Sequence, residues 1–254
     1  MYGLMLLAGI AACAWLTVRR WTRWEGKAEL VFRAGVWAVG WGIVGARLYH
    51  VVTSWSVVPD PKWRGVFEIW TGGLGIWGGV LFGCIAGALV VRRAGVSVSW
   101  MLDAAAPGIL LAQGIGRWGN WWNQELFGKP TTLPWGLKID AAHRPLGYGQ
   151  YATFHPTSLY ESLWDILFVG VLLWIDARYT IRRPALFALY VSFYTAFRTY
   201  EETLRIDPGS HYYAGFRLNF FVSLVLFVAS TGFFVWWQFA HPSPETIVER
   251  PGHT

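Results

Sequence analysis

Charge is what this chain has least of. Only 14% of its 254 residues are Asp, Glu, Lys or Arg. Soluble domains carry roughly a quarter, so a water-facing coat is excluded. Cysteine is nearly absent: Cys13 and Cys84 each sit inside an apolar segment. Two such residues make no disulfide framework and match no zinc spacing. A thiol in apolar surroundings stays protonated and inert, so both read as small packing residues. There is no lysine-rich run and no RNA-binding motif, so the net charge of +6 is not the footprint of a nucleic-acid partner. The chain also lacks an internal repeat, which weighs against a transporter. It has no Gly-x-Ser-x-Gly elbow for a serine nucleophile, and no Gly-x-Gly-Asp pattern that would make Asp103 and Asp165 an intramembrane aspartyl pair. Nothing in it calls for a metal or a cofactor.

What is present is apolar and aromatic. The chain is 54% hydrophobic and carries 18 tryptophans, and its mean hydropathy is +0.35. Tryptophan favours the membrane boundary, where its ring is half apolar and its N–H finds a partner. A spanning helix needs about 20 mostly apolar residues. Segments 2–18, 32–52, 69–91, 100–116, 158–175, 185–203 and 216–239 qualify. The expected fold is therefore an all-α polytopic membrane protein of about seven transmembrane helices, a single transmembrane domain over 1–240.

The basic residues orient it. Arg19, Arg20, Arg23 and Lys27, then Arg92 and Arg93, then Arg178, Arg182 and Arg183 cluster in alternate loops. By the positive-inside rule those loops are cytoplasmic, which sets the N-terminus out and the C-terminus in. Basic residues follow the first segment instead of preceding it, which opposes a cleaved signal peptide. The external stretch at about 120–156 has turn residues and short alternations that predict a small β-containing cap. The polar tail at 241–254 is expected to be flexible.

Several charges fall at or near the spans: Arg47, Asp103, Arg117, Glu161, Asp165, Arg198, Glu201, Glu202 and Arg217. Placing one near the bilayer centre costs at least about 2.5–3.5 kcal/mol. Asp165 and Arg217 read as helix-end groups that snorkel to the boundary. Arg198 and Glu202 are four apart, so they share a helix face and can pair, and Arg205 extends that face. Arginine keeps its charge in low dielectric and offers a planar fork that matches phosphate. Two such arginines with acidic partners suggest an anion site, and a phospholipid headgroup is the nearest anion. Structural pairing alone is the competing reading.

One stretch is more specific. "GRWGNWWNQELFG", residues 116–128, resembles the signature of the bacterial prolipoprotein diacylglyceryl transferases, G-R-x-G-N-x-x-N-x-E-x-x-G. Gly116, Arg117, Gly119, Asn120, Asn123, Glu125 and Gly128 meet every fixed position. The "YGLM" at Tyr2, the "GAR" ending at Arg47, "HPTSLYE" at 155–161 and the series Tyr194, Arg198, Glu202, Arg205 resemble the same family in the same order.

The resemblance implies transfer of the diacylglyceryl group of phosphatidylglycerol onto the lipobox cysteine thiol of a preprolipoprotein. A thioether forms and glycerol 1-phosphate leaves. The place would be the bacterial cytoplasmic (inner) membrane, and the partners phosphatidylglycerol and preprolipoprotein signal peptides. It also implies roles. Arg117 and Arg198 would hold the phosphate and the charge that grows on it. Asn120 and Asn123 would donate to glycerol or phosphate oxygens. Glu125 and the catalytic Glu202 would orient the arginines and help move protons. Tyr2, Arg47, Gly128 and Tyr194 would complete the phosphatidylglycerol site. One departure stands out: many members carry a histidine in "HGG" on the third span, where this chain has Trp77, which has no basic nitrogen. A non-catalytic lipid-binding relative and a small membrane transporter are the alternatives.

Overall fold

A computed structural model describes residues 1–207 and 212–240. The tail expected at 241–254 lies outside the described residues. Eight helices are present among them: α1 (Tyr2–Arg23), α2 (Ala28–Thr53), the short α3 (Lys62–Gly65), α4 (Ile76–Arg93), α5 (Val98–Trp122), α6 (Thr157–Arg178), α7 (Ala185–Leu204) and α8 (Leu218–Ala240). Each of the seven predicted spans is a helix. Six are long and apolar enough to cross a membrane: α1, α2, α4, α5, α6 and α8. α7 is long enough, but its last turns carry Arg198, Glu201 and Glu202, and these remove it from an apolarity count.

Two boundaries differ from expectation. α4 starts at Ile76 and not at 69, because Gly72 and Gly73 take positive φ angles of 89° and 74° that no right-handed helix contains. α5 does not stop at Gly116; it runs on through Trp122. Gly119 permits this. A Cβ there would lie 2.6 Å from the ring of Tyr2, so the missing side chain is the space that α1 fills.

The chain forms two compact units. Among the described residues, one gathers Met1–Thr17 with those from Leu102 to Ala240; the other is Val18–Met101. In the second unit α2 and α4 pack backbone to backbone. A Cβ on Gly45 would lie 2.5 Å from the carbonyl oxygen of Gly78, and one on Gly78 would lie 2.1 Å from that of Gly45. Lipid gives helices no hydrophobic drive to associate, so close contact through small residues holds such a pair. Cys84 lies exposed on α4, so it is not the packing residue expected.

In the first unit Leu16, Ala106, Leu110, Val169, Leu172, Leu186 and Tyr190 form the core of α1, α5, α6 and α7. Gly108 admits the backbone carbonyl oxygen of Cys13, which a Cβ would meet at 2.8 Å. Asp103, fully buried on α5, accepts from the backbone N–H of Phe187 at 2.8 Å and from Arg183 Nη1 at 3.2 Å. It thereby satisfies a first-turn N–H of α7, which has no intrahelical partner. Ser192 on α7 lies 3.0 Å from Ser230 and 3.1 Å from Thr231 on α8.

Between α5 and α6 a small cap is built on β1 (Leu137–Lys138) paired antiparallel with β2 (Thr153–Phe154), Leu137 opposite Phe154. Phe127, Ile139 and Phe154 form its core. A second ribbon, β3 (Tyr212–Tyr213) with β4 (Phe216–Arg217), leads into α8.

The glycine contact generates a test. Gly40 on α2 has nothing within 4 Å of a built Cβ, so Gly40→Ala should gain a few tenths to about 1 kcal/mol from helix propensity. Gly45→Ala should instead lose about 1–3 kcal/mol by overpacking. Thermal unfolding of the two variants in detergent measures the contrast.

Candidate active site

The geometry begins at the end of α5. Glu125 N donates to the carbonyl of Asn120 at 3.1 Å and Gln124 N to that of Trp121 at 3.2 Å. Gln124 between them is left-handed, with φ of 52°. This is a Schellman closure, usually made with glycine. Here the side chain is in use: Gln124 Nε2 donates to Asp140 Oδ2 at 2.8 Å and its Oε1 accepts from Asp140 N at 2.7 Å, which clasps the turn to the cap. The reversal brings Glu125 back over the last turn of α5. Its Oε1 accepts from Asn120 Nδ2 at 2.9 Å and from Asn123 Nδ2 at 3.3 Å. The spacing N-x-x-N-x-E is thus the spacing of one closed helix end.

Three residues on, the chain passes between two other segments. Gly128 N donates to His155 O at 2.8 Å, and Lys129 N donates to Leu204 O at 2.8 Å. A Cβ on Gly128 would stand 2.9 Å from His155 Cβ and 2.9 Å from Thr157 Cγ2. Gly128 is buried and enclosed by protein, so its visible work is to join the signature, the "HPTSLYE" segment and the end of α7.

One helical turn before that end, Arg117 points into a line of ion pairs. Arg117 Nη2 donates to Glu161 Oε1 at 2.5 Å, and Arg198 Nη1 to Glu161 Oε2 at 3.4 Å. Arg198 also pairs with Glu201 through Nη1 and with Glu202 through Nη2. Glu202 Oε2 lies 3.1 Å from Arg217 Nη1, Arg217 Nη2 lies 3.0 Å from Asp207 Oδ2, and Arg205 Nη2 reaches the same oxygen at 2.5 Å. Four carboxylates meet four guanidiniums. Exposure is unequal along the line: the side chains of Glu161, Glu201 and Glu202 keep 0–1%, whereas Arg117 keeps 16% and Arg198 keeps 15%. At this end of the line the three glutamates are sealed, and Arg117 and Arg198 are the side an incoming anion would meet; at the other end it is Asp207 that keeps exposure. Arg117 Nε and Nη1 and Arg198 Nε donate to no acceptor among the described residues, so both forks hold donors in reserve.

The structure assembles most of the expected set in the first unit. Tyr2 packs on Gly119; Tyr194 lies against the core one turn before Arg198. Arg47 belongs to the second unit. There it is buried, and its donors go to backbone carbonyls: Nε to Val66 at 3.0 Å, Nη1 to Gly72 at 2.6 Å and Gly73 at 3.0 Å, Nη2 to Gly65 at 2.5 Å. It braces the 65–73 loop. Trp77 stands half exposed on the first turn of α4. Glu125 holds the asparagines and, among the described residues, pairs with no arginine; Glu202 pairs with Arg198 as expected, and Glu161 and Glu201, which the sequence reading named only as charges near spans, pair with the arginines as well. Glu161 closes the "HPTSLYE" motif, a signal that was visible. Two snorkelling assignments are corrected. Arg217 is buried between Glu202 and Asp207, because a neutral ion-pair line can hold it there. Asp165 is fully buried within α6, and among the described residues neither carboxylate oxygen accepts a hydrogen bond.

The family described as prolipoprotein diacylglyceryl transferase matches residues 1–236. The chain belongs to that family. It is 46% identical over 254 residues to the phosphatidylglycerol–prolipoprotein diacylglyceryl transferase of Cutibacterium acnes, a match covering 99% of this chain and 86% of the relative. It is 44% identical over 257 residues to phosphatidylglycerol–prolipoprotein diacylglyceryl transferase 2 of Streptomyces coelicolor, covering 99% and 80%. The Paenarthrobacter aurescens relative is 44% identical over 251 residues, covering 92% and 77%. The family match takes in both units and every residue of the ion-pair line, and membership makes the chain a multi-pass membrane protein of a transferase family.

The two glutamates should differ sharply when removed. Glu202→Ala leaves Arg198 and Arg217 short of a buried partner, which costs about 3–5 kcal/mol. Glu202→Gln keeps hydrogen bonds and should cost less. Glu125 is exposed, so Glu125→Ala should leave the unfolding midpoint in detergent nearly unchanged. Calorimetry of the three variants checks the order.

Proposed function

We propose that this chain transfers the diacylglyceryl group from phosphatidylglycerol to the lipobox cysteine thiol of preprolipoproteins, at the outer face of the bacterial cytoplasmic membrane with its N-terminus out and C-terminus in. The observation that carries the reading is the pair of partly exposed arginines, Arg117 and Arg198, set over sealed carboxylates on a chain of this family.

The chemistry asks for such a pair. The thiol sulfur forms a bond to the glyceryl carbon as the bond from that carbon to the phosphate oxygen breaks. The oxygen keeps the electron pair, so negative charge grows on the departing glycerol 1-phosphate. Fixed guanidiniums stabilise that charge without reorganising. Both residues have donors in reserve, so they bind the phosphate while keeping their carboxylates. Asn120 and Asn123, held by Glu125 at the end of α5, present neutral amides beside Arg117 and orient the headgroup. Tyr2, Tyr194 and Gly128 shape the surroundings through packing, and Arg47 acts through the loop it braces. Glu202 serves by holding Arg198.

The thiol proton must leave as well, since the thiolate is the nucleophile. Trp77 cannot take it. The departing phosphate can, and the atoms then balance with no protein base: a thiol and a phosphodiester monoanion become a thioether and a phosphate monoester that carries the proton.

Purified protein incubated with phosphatidylglycerol and a lipobox peptide should give the diacylglyceryl mass shift on the peptide; its absence would reject the reading. Arg117→Ala should cut the product by about 100- to 1,000-fold, the cost of losing one fixed donor to developing charge. Arg117→Lys should restore only part, because a point charge cannot make the two-pronged contact.

Position 77 supplies an independent check. Trp77→His should leave the rate within about threefold and add no new pH dependence near the ordinary histidine pKa of about 6.5. A large gain with that pH profile would mark the natural chain as a weakened relative.

A further inference from the structure

We infer that Glu161 is a positioning residue of the transfer, setting the guanidinium of Arg117 against that of Arg198. The inference rests on the transferase reading above and deepens it.

Glu161 is the carboxylate that touches both arginines. Its Oε1 receives Arg117 from α5 and its Oε2 receives Arg198 from α7, while its own backbone belongs to α6. One side chain therefore sets the relation of three helices at the site. It is 1% exposed, so water cannot stand in for it.

The two arginines depend on it unequally. Arg198 has Glu201 and Glu202 on its own helix, three and four residues away. Arg117 has Glu161 as its ion-pair partner and, among the described residues, no other. Without Glu161 the long Arg117 side chain regains its rotamers, whereas Arg198 stays tethered. Glu161 also lies behind the guanidiniums, since they retain exposure and it does not. It acts on the phosphate through Arg117 and does not touch it.

This predicts a particular kinetic signature. A freed Arg117 still attracts an anion, so phosphatidylglycerol binding survives. What fails is its alignment with the charge that develops in the transition state, and misplacement of about 1 Å is enough to cost about 100-fold in rate. The loss should fall on kcat and not on KM. It should also vanish in a background that already lacks Arg117, since residues acting as a unit are not additive. A residue that merely holds the fold would show additive losses.

The experiment compares wild type, Glu161→Gln, Glu161→Asp, Arg117→Ala and the double variant Arg117→Ala with Glu161→Gln, using phosphatidylglycerol in mixed micelles and a lipobox peptide. Glu161→Gln should lose about 100-fold in kcat with KM for phosphatidylglycerol within about threefold. Glu161→Asp, which keeps the charge on a shorter arm, should fall between. Adding Glu161→Gln to Arg117→Ala should change product accumulation by less than about threefold. The double variant also removes both members of the pair, so it avoids stranding a buried charge and reads out even if Glu161→Gln alone folds poorly. Wild-type kcat in Glu161→Gln, or multiplied losses in the double variant, overturns the role of Glu161 alone. A wild-type protein that makes no thioether overturns the transferase reading and this inference with it.

Discussion

Everything at the site depends on charge neutrality inside an apolar protein. Moving an ion out of water costs several kcal/mol even after relaxation, and only a well-placed counter-charge offsets it. Glu161, Glu201, Glu202 and Asp207 against Arg117, Arg198, Arg205 and Arg217 meet that condition as a set. No single pair does, because Glu161 serves two arginines and Glu202 three. The consequence is a site whose positive ends can be left partly open. An anion that enters meets guanidiniums already oriented, and they need not be drawn from water when it arrives.

The scaffold makes that line possible by fixing helices at short range. Small residues let backbones meet, as Gly9 and Gly108 do where α1 approaches α5. Buried polar groups then set register: Asp103 closes the start of α7 from α5, and Tyr190 Oη donates to Gln113 Oε1 at 3.1 Å across the same two helices. At the other end of α7, Lys129 N takes the carbonyl of Leu204, so the helix that carries Arg198 is held at both termini. The loop between α6 and α7 is tied as well, with Arg182 N donating to Gln238 Oε1 at 3.0 Å on α8. The transfer proposed above, which must align charge to within about an ångström, needs rigidity of this kind.

The signature segment shows how one short sequence can serve two purposes. Left-handed Gln124 ends a helix that runs through Gly116 and Gly119, and the polar residues then lie where that ending places them. Glu125 holds Asn120 and Asn123 because the chain doubles back on α5. Gly128 crosses two other segments because it has no side chain. Trp121 packs edge to face on both Trp118 and Trp122, the three ring centroids lying 5.3–6.3 Å apart, and they give this end of the helix an aromatic surface suited to the membrane boundary.

The sequence alone determined the class of protein, the seven long helices and the small cap between α5 and α6. Each follows from local composition: apolar length makes a span, turn residues make a cap, and a motif with seven fixed positions admits few meanings. Tertiary structure decided who partners whom. Glu161 lies 44 residues from Arg117 and 37 from Arg198, so no periodicity links them, whereas Arg198 and Glu202 were legible as a pair at four apart. Arg217 and Asp165 looked like boundary groups because distance to a helix end is all a sequence shows; burial depends on what packs from elsewhere. Arg47 carried a motif position, yet only the folded loop shows its donors committed to four carbonyls. Local interactions repeat with the helix and can be read along the chain. Charge pairing between helices depends on three-dimensional neighbours, and there the fold had the deciding part.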